Sequence, residues 1–238
     1  MGLRSAIRRL GFALTYRATD LAYWIGIPTP KRTAAGSYWS YELANPHGDD
    51  PGLAALDRLP RDAVILDAGS HVGEYAVPLA RDTDRSVVAL EPSPVNVARL
   101  LRTIARNDLI DQIDVHRVGL LDTNGTAPFY GSSFSKMSSF DPDAVGGRIR
   151  FIESTPIRAL DSFVANYNLH PDGIKIDVEG VEQQVLDGAT QTIERERPLV
   201  VLEVHDSAIA PDIAGWFEER EYRVERYDLT FVCTPVSG

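Results

Sequence analysis

The chain has 238 residues, 44% of them hydrophobic and 24% charged, with a formal net charge of −10. That length and apolar content support one α/β core with an extension and exclude a disordered chain, while the acidic balance excludes a general nucleic-acid binder, which needs a basic surface. The single cysteine, Cys233, excludes an internal disulfide framework, and no cysteine and histidine cluster has the spacing of a structural zinc site.

Residues 1–27 place Leu3, Ile7, Leu10 and Leu14 at helical spacing among Arg4, Arg8 and Arg9, which predicts an amphipathic helix. Arg17 and Asp20 interrupt it well short of the ~18 apolar residues of a membrane span. A signal peptide would need a longer apolar run and a small-residue cleavage site. Two readings stay open for this helix: packing onto its own domain, and peripheral contact with anionic headgroups on the cytoplasmic face of a membrane. Residues 28–52, rich in Pro, Gly, Ser and Tyr, read as an irregular connector or lid. The chain thus divides into an extension over 1–52 and a domain over 53–238.

From residue 53 strand and helix signals alternate as a doubly wound sheet requires. "AVILDAG" is a buried strand and "EYAVPLARD" a helix; "SVVALEP" and "PVNVARLLRTIARNDL" repeat the pair, and "IDVHRVGL" is a third strand. Two strands then flank the hydroxyl-rich "GSSFSKMSSF", and "LDSFVANY" opens a helix. "GIKIDV" and "PLVVLEV" are core strands separated by one helix, "VEQQVLDGATQTIERE", and "YRVERYDLTFVCT" closes the chain as two antiparallel strands.

The first chemical motif is "LDAGSHVG", with Asp67, Gly69 and Gly73 at the carboxyl end of the first strand, where doubly wound sheets bind ligands. A dinucleotide fingerprint needs a glycine where this chain has His71, so a pyrophosphate fits poorly. Asp67 suits a ligand with an ammonium group, attracted directly or through water, and the loop amides suit a carboxylate. S-adenosylmethionine has both. Glu91 ends the second strand, where it can accept hydrogen bonds from two ribose hydroxyls. Gly119 and Leu120, at the end of the third strand, offer a flat apolar wall for an adenine.

These residues resemble a known family. "LDAGSHVGEYA", "ALEPSPVNVARL", "LDSF", "IKIDVEGVEQQVLDGA" and "VLEVH" are similar in order and spacing to the FkbM family of S-adenosylmethionine-dependent methyltransferases. The resemblance implies a Rossmann-like class I methyltransferase sheet, mostly parallel with an antiparallel last strand. It also implies methylation of an oxygen, commonly on a sugar or polyketide product, without identifying the acceptor.

Within "IKIDVEGVE", strand alternation points Lys175 and Asp177 to one face at the carboxyl end of the fourth strand, beside the first, and Glu179 follows as the chain turns into the helix. A hydroxyl acceptor must lose a proton, which Asp177, Glu179 or His205 could take. A carboxylate acceptor, such as a uronic acid on a lipid-linked glycan, needs no base but a cationic clamp, for which Lys175 and Lys136 are available. The structural alternative is a Lys175–Asp177 ion pair at the rim with Glu179 capping the helix. Glu203 and His205 could also share a divalent ion with Asp177 or Glu179.

The expectation is a cytoplasmic oxygen methyltransferase acting on a sugar, glycan or related metabolite, with no nucleic-acid partner and an oligomeric state the sequence leaves open. A nicotinamide-dependent oxidoreductase and a non-catalytic scaffold that retains the cofactor fold are the alternatives.

Overall fold

A computed structural model describes residues 18–45 and 47–236. The amphipathic stripe from Leu3 to Leu14 lies outside the described residues. Residues 18–25 are helical (α1) and pack on α4 (Pro94–Arg106) through Arg99, which pairs with Asp20 at 2.5 Å and stacks over the Tyr23 ring. Arg102 and Arg106, one and two turns further along α4, stack over Tyr41 and Trp39. The spacing of these arginines puts them on one helix face. That face holds the N-terminal segment by cation–π contact.

The expected connector is a hairpin instead: β1 (Thr29–Thr33) and β2 (Gly36–Ser40) pair in antiparallel register. Local composition concealed it because the pairing depends on a distant anchor. The Asn107 side chain accepts from Trp39 N and donates to Trp39 O, both at 2.8 Å, which ties the hairpin to the end of α4.

The central sheet runs β5-β4-β3-β9-β10-β12-β11, built from β3 (Val64–Ala68), β4 (Ser86–Leu90), β5 (Ile113–His116), β9 (Gly173–Ile176), β10 (Leu199–Glu203), β11 (Tyr222–Tyr227) and β12 (Thr230–Pro235). Strands β3, β4, β5, β9 and β10 are parallel, and β12 inserts between β10 and β11 antiparallel to both. This is the class I methyltransferase sheet. Alternation divides the core between its faces. Leu66, Leu90, Ile174, Val200 and Leu202 pack against α5 (Leu160–Tyr167), α6 (Glu182–Asp187), α7 (Thr190–Glu196) and α8 (Ala210–Glu218). Ile65, Val87, Ala89 and Val201 pack against α2 (Pro51–Leu56), α3 (Ala76–Ala80) and α4. Each such buried Val, Leu or Ile side chain contributes about 1.5–3 kcal/mol by leaving water.

The one helix expected after "GIKIDV" is two. It breaks at Gly188, where a Cβ would lie 2.4 Å from the Leu121 carbonyl oxygen. The Asp161 carboxylate of α5 then accepts from Gln191 N and Thr192 N at 3.0 and 2.7 Å and caps the start of α7. Helix α8 has no counterpart in the sequence reading, and the third expected strand is also divided. After β5, Gly119–Leu120 (β6) leaves the central sheet and pairs with β8 (Ile149–Arg158), which in turn pairs with β7 (Gly125–Ser132). This three-stranded insertion carries a 3-10 turn, Ser135–Met137, over the carboxyl ends of β3 and β9. No helix among the described residues is long and apolar enough to cross a membrane.

Candidate active site

Between the strand ends and the insertion lies a cavity of about 240 Å³. It sits where the winding of the sheet reverses, between β3 and β9, which is the ligand position of open α/β sheets. Its walls differ in character. At one end Leu90, Val118, Leu120, Phe129 and Phe140 form an apolar slot with Glu91 and Asn96 at its mouth; at the other stand Glu74, Asp177, Glu179 and Glu203 with Lys136 and Lys175.

Register explains the charged end. Asp67 and Lys175 are direct partners across β3 and β9, and β10 pairs with β9 so that Glu203 follows beside Asp177. All four side chains share the parity of Ile65 and Val201, so alternation sends them to one face of the sheet. The Lys175 ammonium, 4% exposed, donates to Gly69 O at 3.0 Å and lies 3.5 Å from Asp67 Oδ1 and 3.4 Å from Asp177 Oδ2, over the Tyr75 ring. Burial opposes its charge, but Asp177, Asp67 and Glu203 outweigh burial and raise its pKa. The expected ion pair with Asp177 therefore exists, buried in the floor and not at the rim.

Asp67 is fully buried one layer below the cavity. Its Oδ2 accepts from Ala76 N at 3.1 Å, and burial pushes its carboxyl up against the pull of Lys175. It stands beside Lys175 and is not among the residues that line the cavity. The loop amides are occupied as well: Gly69 N and Ser70 N donate to Leu90 O, His71 N to Glu91 Oε2, and Gly73 N to Ser70 O. The carboxylate expected on the loop amides finds these four already bonded. Gly69 is required for a different reason, since a Cβ there would lie 1.8 Å from the Asp177 carbonyl oxygen, at φ +79°. Gly119 is packed by the Phe140 ring, which a Cβ would meet at 2.2 Å.

Glu91 is held by three donors. Its Oε1 accepts from Ser93 N and Asn96 Nδ2, its Oε2 from His71 N, and burial carries its carboxyl up to about 7 in spite of them. Oε1 is saturated and Oε2 keeps room for one more donor. Asn96 Oδ1, buried and without a partner among the described residues, stands beside it as a second acceptor.

Glu179 occupies the left-handed region at φ +52°, followed by Gly180 at +91°. A non-glycine residue there costs about 1 kcal/mol. The turn is held by Ser139 Oγ, which donates to Glu179 O at 2.6 Å, and by Gly180 N, which donates to Glu182 Oε1 at 3.0 Å. Burial pushes the Glu179 carboxyl up to about 7. Burial opposes the charge of Asp177 too, but Lys175 and His205 hold it below the usual range. His205 lies behind this group. Its Nδ1 is 2.8 Å from Glu182 Oε1, and although burial works against the charged ring, that bond and the nearby Glu179 and Asp177 carry its pKa up to about 9.

Sequence reasoning missed Glu182, Glu74, Asn96, Phe129 and Phe140. Of these only Asn96, five positions after Glu91 in a helix opening, left a local trace. Lys136 pairs with Glu74, and His71, whose Nε2 is 2.9 Å from Ser135 Oγ, joins the loop to the insertion.

A family profile described as the methyltransferase FkbM domain matches residues 67–224, about two thirds of the chain, and includes the cavity-lining residues named above. The chain belongs to the FkbM methyltransferase family. The methyltransferase SdnD of Sordaria araneosa is 26% identical over 205 residues, covering 72% of this chain and 78% of that protein. The hexuronic acid methyltransferase AglP of Haloferax volcanii is 26% identical over 173 residues, covering 71% and 67%. The crystal structure of an FkbM methyltransferase from Methylobacillus flagellatus superposes with a TM-score of 0.56 at 20% identity, over 74% of this chain and 44% of that longer one.

The usual methyl donor of such a family is S-adenosylmethionine, and the residues present fit it. The apolar slot suits an adenine, Glu91 Oε2 and the orphan Asn96 Oδ1 suit ribose hydroxyls, and the acidic far end suits the cationic part of the molecule.

Proposed function

We propose that the chain transfers a methyl group from S-adenosylmethionine to a hydroxyl oxygen of a neutral, polyhydroxylated acceptor, a sugar or glycan. When bound, the donor supplies a methyl on a positively charged sulfur, a group that needs little activation. The protein's work is therefore alignment, exclusion of water and removal of the acceptor's proton. Glu179 takes that proton. It lines the cavity, and its Oε1 is no nearer than 3.6 Å to His205 Nε2, whereas Asp177 is tied to Lys175. Lys175 and Asp67 hold the floor on which Asp177 stands.

The observation that carries the choice of acceptor is the lining of the charged end. Glu74, Asp177, Glu179 and Glu203 face it, and both lysines there are paired with carboxylates, Lys136 with Glu74 and Lys175 with Asp67 and Asp177. Carboxylates accept from sugar hydroxyls and repel an anion. The Haloferax volcanii relative is named for an acidic sugar, which would enter this cavity against that repulsion. Labelled S-adenosylmethionine incubated with neutral and acidic glycan fractions separates the two. The label is expected in the neutral fraction as a methyl ether stable to mild alkali. Label released by alkali from the acidic fraction identifies a methyl ester and overturns the reading.

The donor assignment has its own test. Removing the acceptor with Glu91→Ala should weaken S-adenosylmethionine binding by about 1–3 kcal/mol. Because burial places the Glu91 carboxyl at about 7, acidification protonates the acceptor, and lowering the pH from about 8 to about 6 should weaken binding roughly ten-fold in the parent. Calorimetry in which Glu91→Ala retains that pH dependence would remove Glu91 from the site.

A further inference from the structure

We propose that Asp177, Glu203 and His205 form a binding site for one divalent transition cation, open to the cavity beside Glu179. Asp177 Oδ1, Glu179 Oε1 and Glu203 Oε2 stand 3.6, 3.6 and 3.8 Å from His205 Nε2. A ring N–H facing carboxylates draws one of them to about 2.7–2.9 Å. Here all three are held at similar distances outside hydrogen-bond range. Donor atoms about 2.2 Å from a four-coordinate ion stand about 3.6 Å apart, close to the separations of His205 Nε2 from Asp177 Oδ1 and Glu203 Oε2. The Asp177, Glu203 and His205 donor atoms all lie within 4.8 Å of one another.

Two further features point the same way. Asp177 Oδ1 is a buried oxygen with no hydrogen-bond partner among the described residues, although Oδ2 of the same group faces Lys175. Buried polar atoms left so are exceptions, and a bound ion is one of the partners that satisfies them. Behind His205, the Glu182 carboxylate is completely buried and 2.8 Å from Nδ1, so it holds that nitrogen as the donor and leaves Nε2, whose proton a bound cation displaces, facing the three oxygens. A carboxylate behind a histidine is the outer support of metal-bound imidazoles. The imidazole in the set favours Zn²⁺ over Ca²⁺ or Mg²⁺, and Mn²⁺ serves as the paramagnetic probe of the same site.

The site's existence stands on this geometry; its role rests on the methyltransferase reading. An acceptor hydroxyl bound to the ion loses its proton more readily. Glu179 receives that proton, the oxygen forms its bond to the methyl carbon, and the electron pair of the broken carbon–sulfur bond stays on sulfur.

The test is calorimetric titration of chelator-treated, dialysed protein with MnCl₂ and with ZnCl₂, and separately with S-adenosylmethionine. One ion per chain is expected, with affinity reduced about 10–100-fold in Glu182→Gln and more in His205→Ala and Glu203→Gln. In the unsubstituted protein, Mn²⁺ should broaden the His205 ring resonances most strongly, which keeps the test independent of how the variants fold. No saturable binding near one ion per chain, parent-like affinity in Glu182→Gln and His205→Ala, or broadening that spares His205 overturns the site. Cofactor binding without ion binding refutes only the ion; ion binding without cofactor binding refutes only the methyltransferase reading.

Discussion

Replacing Glu179 with glutamine is expected to lower turnover about 100-fold or more while cofactor affinity stays within about two-fold of the parent. The amide preserves size, and the Ser139 bond to the Glu179 carbonyl oxygen, which is backbone, is untouched. Only the capacity to take a proton is lost. Single-turnover kinetics with saturating donor and acceptor read the effect directly. Loss of cofactor binding in proportion to activity would assign Glu179 to the structure of the turn, where φ +52° already marks it as constrained.

Lys175→Met should act on stability. The ammonium stands between Asp67 and Asp177 and also satisfies Gly69 O. Removing one partner from a buried charge group leaves the others uncompensated, at a cost of about 3–5 kcal/mol. For a chain of this size that lowers the urea midpoint by about 1–2 M. The Asp67→Asn/Lys175→Met double variant should recover part of the loss, because the amide needs no counter-charge. A Lys175→Met protein with an unchanged midpoint and no activity would return Lys175 to the reacting groups.

The two expectations divide residues that look alike in sequence. Lys175, Asp177 and Glu179 sit at alternate positions of one short segment, and each was a candidate for chemistry. What separates them is what lies across the strand: Asp67 is opposite Lys175 in register, and Gly69 brings the two strands into contact at the point where the lysine binds. Asp67 itself shows the limit of motif reading. Its place before the first glycine was legible, but it faces Lys175 under the loop and not the cavity.

The hairpin over residues 29–40 was hidden because its anchor, Asn107, is 68 positions from Trp39. The break at Gly188 was hidden because local helical periodicity runs through it, while Asp161 on another helix supplies the cap that restarts α7.

The sequence by itself determined the doubly wound sheet, since buried strands and amphipathic helices alternate with periods that permit little else. It also determined the family, through motifs whose order and spacing survive without coordinates. It placed Glu91 and the Asp177–Glu179 turn at strand ends, because strand termini are local properties. The tertiary structure alone decided which carboxylate is buried against which cation, that the amides of Gly69, Ser70, His71 and Gly73 are already bonded, and that Glu182 stands behind His205. Those are contacts between strands and helices far apart in the chain, and charge, burial and hydrogen bonding depend on such neighbours more than on the residue itself.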